Sequence, residues 1–144
     1  MIVVDTSVLV YAVGTEHPLR TSCREIVAAL GDGLDATTTV EVIQEFAHVR
    51  ARRRTRADAV KLARSYATAF APLLLPTAED LVDGLSLFED HEDLRCFDAV
   101  LAAAAIARSA NALVSADPAF SRIPSLNHVS PASPELPLLL GERG

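Results

Sequence analysis

Residues 1–7 read MIVVDTS, an apolar run that leads directly into a carboxylate and two hydroxyls. Ile2, Val3 and Val4 are apolar, and all are β-branched, which is typical of a strand covered on both faces of a parallel sheet. Asp5 follows at the end of this strand. Ligands bind outside the carboxyl ends of the strands in open parallel sheets, so Asp5 is a candidate functional residue.

A second stretch, ALVSAD, ends in the same way. Residues 112–115 predict a strand, Asp117 follows it, and Pro118 then ends the backbone pairing. If the two strands are parallel neighbours, Asp5 and Asp117 emerge at the same edge of the sheet. Asp is also a common turn residue, so a purely structural role for Asp117 stays open.

Two further acids lie on predicted helices. Asp98 is in the first turn of a helix over residues 97–107 that is apolar on all sides and therefore buried, and a buried carboxylate needs a partner. At about 100° per residue, Glu45 lies about 40° beyond Val49, at the edge of the apolar face of its helix. Helix capping by Asp98 and an ordinary boundary position for Glu45 are the alternatives.

Predicted strands and helices alternate along the chain, which predicts an α/β fold with helices on both faces of a central parallel sheet. Strands are expected at residues 2–4, 34–37, 73–75 and 112–115. Helices are expected from residue 7 and over 18–30, 38–52, 55–71, 77–89 and 97–107. Thr55, with Asp58 three residues later, resembles a capping box, and residues 90–95, DHEDLR, read as a polar loop.

Length and composition indicate one globular domain. The chain has 144 residues, of which 50% are hydrophobic, and we expect a single domain over 1–144 with a core of about 2–130 and a Pro-rich tail over 131–144. It lacks both a signal peptide and an apolar run of about 20 residues, so a cytoplasmic protein is expected. Cys23 and Cys96 are isolated, which favours free thiols.

Acids gathered at one sheet edge require an explanation. Two carboxylates about 4 Å apart repel by roughly 4 kcal/mol at an effective dielectric constant near 20, so they must protonate, separate or hold a cation. Oxygen-only ligands favour hard ions such as Mg²⁺ or Mn²⁺. Such an ion activates water and neutralises charge on a phosphate.

Four segments in this order, VVDTSVLV, VIQEF, FDAVLAAAA and LVSADPAF, resemble a PIN domain, and within that superfamily the VapC toxins of prokaryotic toxin–antitoxin pairs. The resemblance implies a three-layer α/β/α sandwich and a divalent-metal ribonuclease. It places the catalytic and metal-binding acids at Asp5, Glu45, Asp98 and Asp117, and supporting hydroxyls at Thr6 and Ser115. Many relatives carry a further acid where this chain has Ala119, which puts a second metal ion in doubt.

Basic residues are concentrated in one run although the net charge is −6, which argues against broad polyanion binding. Seven of the 13 Lys and Arg residues lie between residues 50 and 64. They suit RNA phosphates or an acidic partner, and a solvated surface is the alternative. The candidate contacts are Arg50, Arg53, Arg54 and Arg56. The resemblance implies a VapB-like antitoxin partner and a homodimer.

The expected function is therefore that of a Mg²⁺-dependent endoribonuclease, the toxin of a toxin–antitoxin pair, in which metal-activated water hydrolyses RNA. The alternative is a catalytically silent PIN-like module that binds RNA or protein. An aspartyl-phosphate phosphatase is disfavoured because Ser7 stands where that class needs a second acid. A receiver domain is disfavoured because no paired acid precedes the first strand.

Overall fold

A four-stranded parallel sheet lies at the centre of the computed structural model, which describes residues 1–141. The strands are β1 (Ile2–Val4), β2 (Ala36–Thr37), β3 (Ala112–Val114) and β4 (His128–Val129), in the order β2-β1-β3-β4. Val4 pairs with Val114, so β1 and β3 are parallel neighbours, as predicted. The residues that follow these two strands therefore share one edge of the sheet.

Helices flank this sheet and complete the predicted α/β/α sandwich. In residues 1–141 they are α1 (Thr6–Val13), α2 (Arg20–Ala29), α3 (Val40–Arg53), α4 (Arg56–Ala69), α5 (Ala78–Asp90), α6 (Cys96–Ala107) and α7 (Leu136–Leu139). Consecutive helices pack together as the pairs α1 with α2, α3 with α4, and α5 with α6. Among these described residues, none of the helices is long and apolar enough to cross a bilayer.

The core lies where the strands and the aromatic side chains meet. Val3, Val4 and Leu113 are fully buried, and so is Phe46. Burial of a side chain of this size stabilises the fold by about 1.5–3 kcal/mol. The apolar strands thus hold the carboxyl edge of the sheet in a fixed place.

A capping box at the start of α5 is connected to the end of α6 by a hydrogen bond. The Thr77 side chain accepts from the Asp80 backbone, and Asp80 accepts from the Thr77 backbone at 2.8 Å. Arg108 donates to Asp80 at 3.0 Å. Burial opposes the ionisation of Asp80, but these hydrogen bonds hold its pKa below the usual value. The pair α5 and α6 is therefore braced at this end.

The capping box predicted at Thr55 is only half formed. The Thr55 hydroxyl accepts from the Asp58 backbone at 3.1 Å, as expected for an N-cap. The Asp58 carboxylate, however, accepts from Arg50 Nε at 2.6 Å rather than returning to the Thr55 backbone. The nearby arginine is the stronger donor because its hydrogen bond is charge-assisted.

The close approach of α5 and α6 depends on Gly84. A Cβ atom at this position would lie 2.7 Å from Val100 Cα, far inside normal contact distance. The absence of a side chain lets the backbones of the two helices approach. This contact sets the position of α6, the helix that carries Asp98.

Other predicted elements differ from the observed ones. Residues 73–75 form no strand of the sheet but only an isolated bridge, between Leu74 and Thr39. The 3-10 helix over Pro118–Arg122 and strand β4 were not predicted. The Pro-rich tail contains the single helical turn α7, and its last residues, 142–144, lie outside the described residues.

Candidate active site

Asp5 joins strand β1 to helix α1 and is 4% exposed. It is the N-cap of α1, and its Oδ2 accepts from the Ser7 backbone, from Ser7 Oγ at 2.8 Å and from Ser115 Oγ at 2.7 Å. Its other oxygen, Oδ1, is buried and has no hydrogen-bond partner among residues 1–141. A buried carboxylate oxygen without a donor is costly, so Oδ1 has the character of a ligand atom.

Glu45 reaches the same place from α3. Its Oε2 accepts from Thr6 Oγ1 at 2.8 Å, and its Oε1 accepts from Arg95 Nη2 at 3.2 Å. The side chain is 31% exposed, which matches its predicted position at the rim of the apolar face. Thr6, the residue after Asp5, therefore orients the acid on the neighbouring helix.

Asp98 is 2% exposed and lies in the first turn of α6. Its Oδ2 accepts from Arg95 Nε at 2.9 Å, and its Oδ1 accepts from Arg95 Nη2 at 3.3 Å. Burial raises the pKa of Asp98, and the nearby charges of Asp5 and Glu45 act in the same direction, while Arg95 opposes them. Asp98 is thus the acid on which the charges of the other two act.

Asp117 lies next to these three acids, but its carboxylate caps the 3-10 helix. Its Oδ1 accepts from the Ala119 backbone at 2.9 Å, where the 3-10 helix begins. Its own backbone N–H donates to Ser115 Oγ at 3.0 Å. Since Ser115 also donates to Asp5, a single hydroxyl links the two strand ends.

The three acids open onto one cavity of about 210 Å³. Its remaining wall is mainly apolar, and the cavity is lined by Asp5, Thr39, Glu41, Val42, Glu45, Pro76, Leu81, Cys96, Phe97, Asp98, Val100 and Leu101. Asp117 is not among the lining residues. The structure therefore brings Asp5, Glu45 and Asp98 together around a cavity and places Asp117 next to them through Ser115.

The chemistry of these donors fits a hard divalent cation. All are carboxylate oxygens, the ligands that Mg²⁺ and Mn²⁺ prefer, and Asp5 Oδ1 has no hydrogen-bond partner within the described residues. In the described part of the chain, no three His, Cys, Asp or Glu side chains are already arranged to hold an ion. Arg95 instead contacts both Glu45 and Asp98.

Arg95 was missed by the sequence analysis, which assigned residues 90–95 to a polar loop. Its position three residues before Asp98 is the one available signal, because residues at this spacing meet on a helix. The contact with Glu45 joins residues 50 apart in the chain, and it could not be predicted from local spacing.

The basic run over residues 50–64 contains a structural arginine as well as exposed ones. Arg50 is a structural residue in this fold, since it pairs with Asp58 and donates to the Val13 carbonyl at 3.1 Å. Arg53 and Arg54 are exposed and line a cleft of about 350 Å³ between α1 and α3. Arg56 is exposed at the start of α4, outside this cleft.

Comparisons with known proteins show what this sequence and this fold are similar to. The family model of the PIN domain matches residues 2–126. The chain is 51% identical to Ribonuclease VapC7 of Mycobacterium tuberculosis (strain ATCC 25618 / H37Rv) over 148 residues, which covers 99% of this chain and 100% of that protein. The fold is similar to a crystal structure of VapBC2 from Rickettsia felis bound to a DNA fragment from their promoter. That match has a TM-score of 0.70 and 21% identity, and covers 90% of this chain and 98% of the other.

Proposed function

Because this chain belongs to the PIN-domain family, we propose that it is a divalent-metal-dependent endoribonuclease, the toxin of a toxin–antitoxin pair, acting in the cytoplasm. The observation that carries the proposal is the convergence of Asp5, Glu45 and Asp98 on one cavity. The 51% identity to a named ribonuclease over nearly the whole chain supports the same activity.

Asp5, Glu45 and Asp98 are the residues that would hold Mg²⁺ or Mn²⁺, with Asp117 as the fourth acid of the site. Such an ion supplies Lewis acidity, which activates water for attack on the RNA phosphodiester and offsets negative charge on the phosphate. Ser7 and Ser115 donate to Oδ2 of Asp5, so its Oδ1 would be available as a ligand to such an ion.

Glu45 is suited to proton transfer because it is the most exposed of the three acids. Thr6 holds its Oε2, and Oε1 would accept a proton from the attacking water once its contact with Arg95 Nη2 is released. Asp98 is almost fully buried and contributes negative charge at a fixed place. The apolar wall of the cavity lowers the local dielectric constant, which strengthens these interactions.

A chelation experiment tests this function. RNA cleavage by the purified protein should stop when EDTA removes divalent ions, and should return when Mg²⁺ or Mn²⁺ is added in excess. Undiminished cleavage in EDTA would remove the metal from the mechanism. A catalytically silent module would instead bind RNA equally with and without metal, cleave none of it, and respond to neither addition.

We assign the antitoxin to the cleft between α1 and α3. Its floor is apolar, formed by Val10, Val13, Phe46 and Val49, and its rim carries Arg53 and Arg54. A segment that fits this cleft presents an apolar side chain flanked by acidic residues. Charge complementarity of this kind accelerates association and favours the correct partner.

Charge reversal tests the antitoxin site. The double variant Arg53→Glu/Arg54→Glu should bind the cognate antitoxin much more weakly than the wild type does. Arg122→Glu, a change at an exposed arginine on the 3-10 helix, is the matched control and should bind normally. Equal binding by all three proteins would exclude the cleft as the docking site.

We assign the homodimer interface to the exposed face of α5. Val82, Leu85 and Phe88 are 63%, 47% and 45% exposed, although they are apolar. A patch of exposed apolar side chains on one helix is typical of a protein–protein contact. Leu85→Asp should convert the dimer to a monomer in analytical ultracentrifugation, whereas a monomeric wild type at micromolar concentration would contradict the assignment.

A further inference from the structure

Arg95 is the cation that the acid cluster holds in this structure. It precedes α6, and its guanidinium donates to both oxygens of Asp98, at 2.9 and 3.3 Å. The same group donates to Glu45 Oε1 at 3.2 Å. One side chain therefore joins the acid of α3 to the acid of α6.

The position of Arg95 explains how the carboxylates tolerate one another. Asp5, Glu45 and Asp98 line one cavity, and like charges at short range repel. A guanidinium that bridges two of them offsets part of this repulsion, and its planar fork suits bidentate contact with a carboxylate. Arg95 thus acts in the metal-free protein as a counter-ion does.

The oxygens that Arg95 contacts belong to the acids that the divalent ion requires. Both oxygens of Asp98 and one of Glu45 accept from it, while Asp5 Oδ1 has no donor in the described part of the chain. A divalent ion and a guanidinium that share the same carboxylates repel each other. The two cations therefore compete for one set of ligands.

Because Arg95 is exposed, a divalent ion can replace its guanidinium at these carboxylates. Its side chain is 65% exposed, so the guanidinium can turn into solvent without becoming an unpaired buried charge. Building on the proposed function, we infer that Arg95 is a resident counter-cation that holds Glu45 and Asp98 in the metal-free protein and releases them when the divalent ion binds.

Calorimetric titration with Mn²⁺ in the absence of RNA tests this role. Arg95→Gln removes the competing charge and should bind Mn²⁺ about tenfold more tightly than the wild type, a difference of about 1.4 kcal/mol. Arg122→Gln is the matched control, because it removes the same charge from an exposed arginine that pairs with Asp93. The control should bind Mn²⁺ with wild-type affinity.

Thermal unfolding gives a second measurement. In EDTA, Arg95→Gln should unfold at a lower temperature than the wild type, because its carboxylates have lost their counter-ion. Saturating Mn²⁺ should raise its unfolding temperature by more than it raises that of the wild type. If the Gln variant does not fold, Arg95→Met, which removes the charge and keeps a long unbranched side chain, should still bind Mn²⁺ more tightly than the wild type.

An unchanged or weakened Mn²⁺ affinity in Arg95→Gln, or in Arg95→Met where that variant is used, would overturn the inference. A loss of about 10–100-fold would instead identify Arg95 as a residue that orients the ligands of the ion. If the wild type binds no Mn²⁺, the proposed metal-dependent function fails as well. If the wild type binds Mn²⁺ and the variants bind no more tightly, only the role of Arg95 is wrong.

Discussion

The Ser115 hydroxyl donates to Asp5 Oδ2 at 2.7 Å and thereby connects the ends of two neighbouring parallel strands. The two residues are 110 positions apart in the chain, and Ser115 is fully buried. The same hydroxyl accepts from the backbone of Asp117. Ser115 therefore connects two of the proposed site acids, Asp5 and Asp117, through hydrogen bonds to its hydroxyl.

Replacement of Ser115 by Ala should impair both folding and cleavage. It leaves the half-buried Asp117 N–H without its acceptor and the buried Asp5 with one donor fewer, which costs about 1–3 kcal/mol of unfolding free energy. Mutation of a residue that orients metal ligands typically lowers metal affinity or activity by about 10–100-fold. Cleavage should therefore fall by about tenfold or more at a temperature where the variant is folded.

Urea denaturation and an RNA cleavage assay measure the two effects. Ser65→Ala is the matched control, since its hydroxyl is exposed and contacts only the Lys61 carbonyl of its own helix. Wild-type cleavage by Ser115→Ala would show that this hydroxyl does not position Asp5.

Gly84→Ala should destabilise the protein although Ala has the higher helix propensity. The new methyl group would meet Val100 Cα at 2.7 Å, and overpacking of this kind costs about 1–3 kcal/mol. The gain in propensity recovers at most about 1 kcal/mol. Urea denaturation should show this loss of unfolding free energy, and Ser86→Ala, at an exposed position of the same helix, is the control. A Gly84→Ala protein as stable as the wild type would contradict the close packing of α5 and α6.

Asp80 should make stability depend on pH. Its pKa is lowered in the folded protein, whereas an unfolded chain has an Asp pKa of about 3.9, so the ionised form stabilises the fold above about pH 4. Asp80→Asn should therefore lose about 1–3 kcal/mol near pH 7. This difference should shrink as the pH falls below about 4 and the wild-type carboxylate becomes protonated.

Chemical denaturation at a series of pH values measures this effect. Asp83→Asn, at an exposed position of the same helix, is the control and should differ little from the wild type at any pH. A stability difference for Asp80→Asn that stays constant down to pH 3 would show that ionisation of Asp80 does not stabilise the fold.

Much of the fold could be predicted because its signals are local. The apolar β-branched residues of β1 predict the strand that is observed, and the helices expected over 38–52 and 77–89 begin at the observed caps Thr39 and Thr77. Strand β4, only two residues long in a polar segment, has no such signal and is formed by pairing with β3. Residues 73–75 resemble a strand, but flanking prolines lack backbone donors, and only an isolated bridge forms.

The site was predictable to a lesser degree. Strand ends alone place Asp5 and Asp117 at one sheet edge, but the choice of Glu45 and Asp98 among 19 acids came from the family resemblance. The contacts of Arg95 and Ser115 depend on tertiary packing across 50 and 110 residues, which neither periodicity nor motif spacing encodes. The assignment of the four acids to catalysis stays a prediction.

The RNA cleavage rate of Asp5→Asn, measured in saturating Mg²⁺ or Mn²⁺, tests most directly whether these carboxylates hold the ion that drives the reaction. Asn can keep the hydrogen bonds that Asp5 accepts from Ser7 and Ser115, and it removes one like charge beside Asp98. The variant should therefore unfold at the wild-type temperature or above, and cleave at least about a hundredfold more slowly. Asp32→Asn, at an exposed loop position, should cleave normally. Cleavage by Asp5→Asn at the wild-type rate would contradict the account.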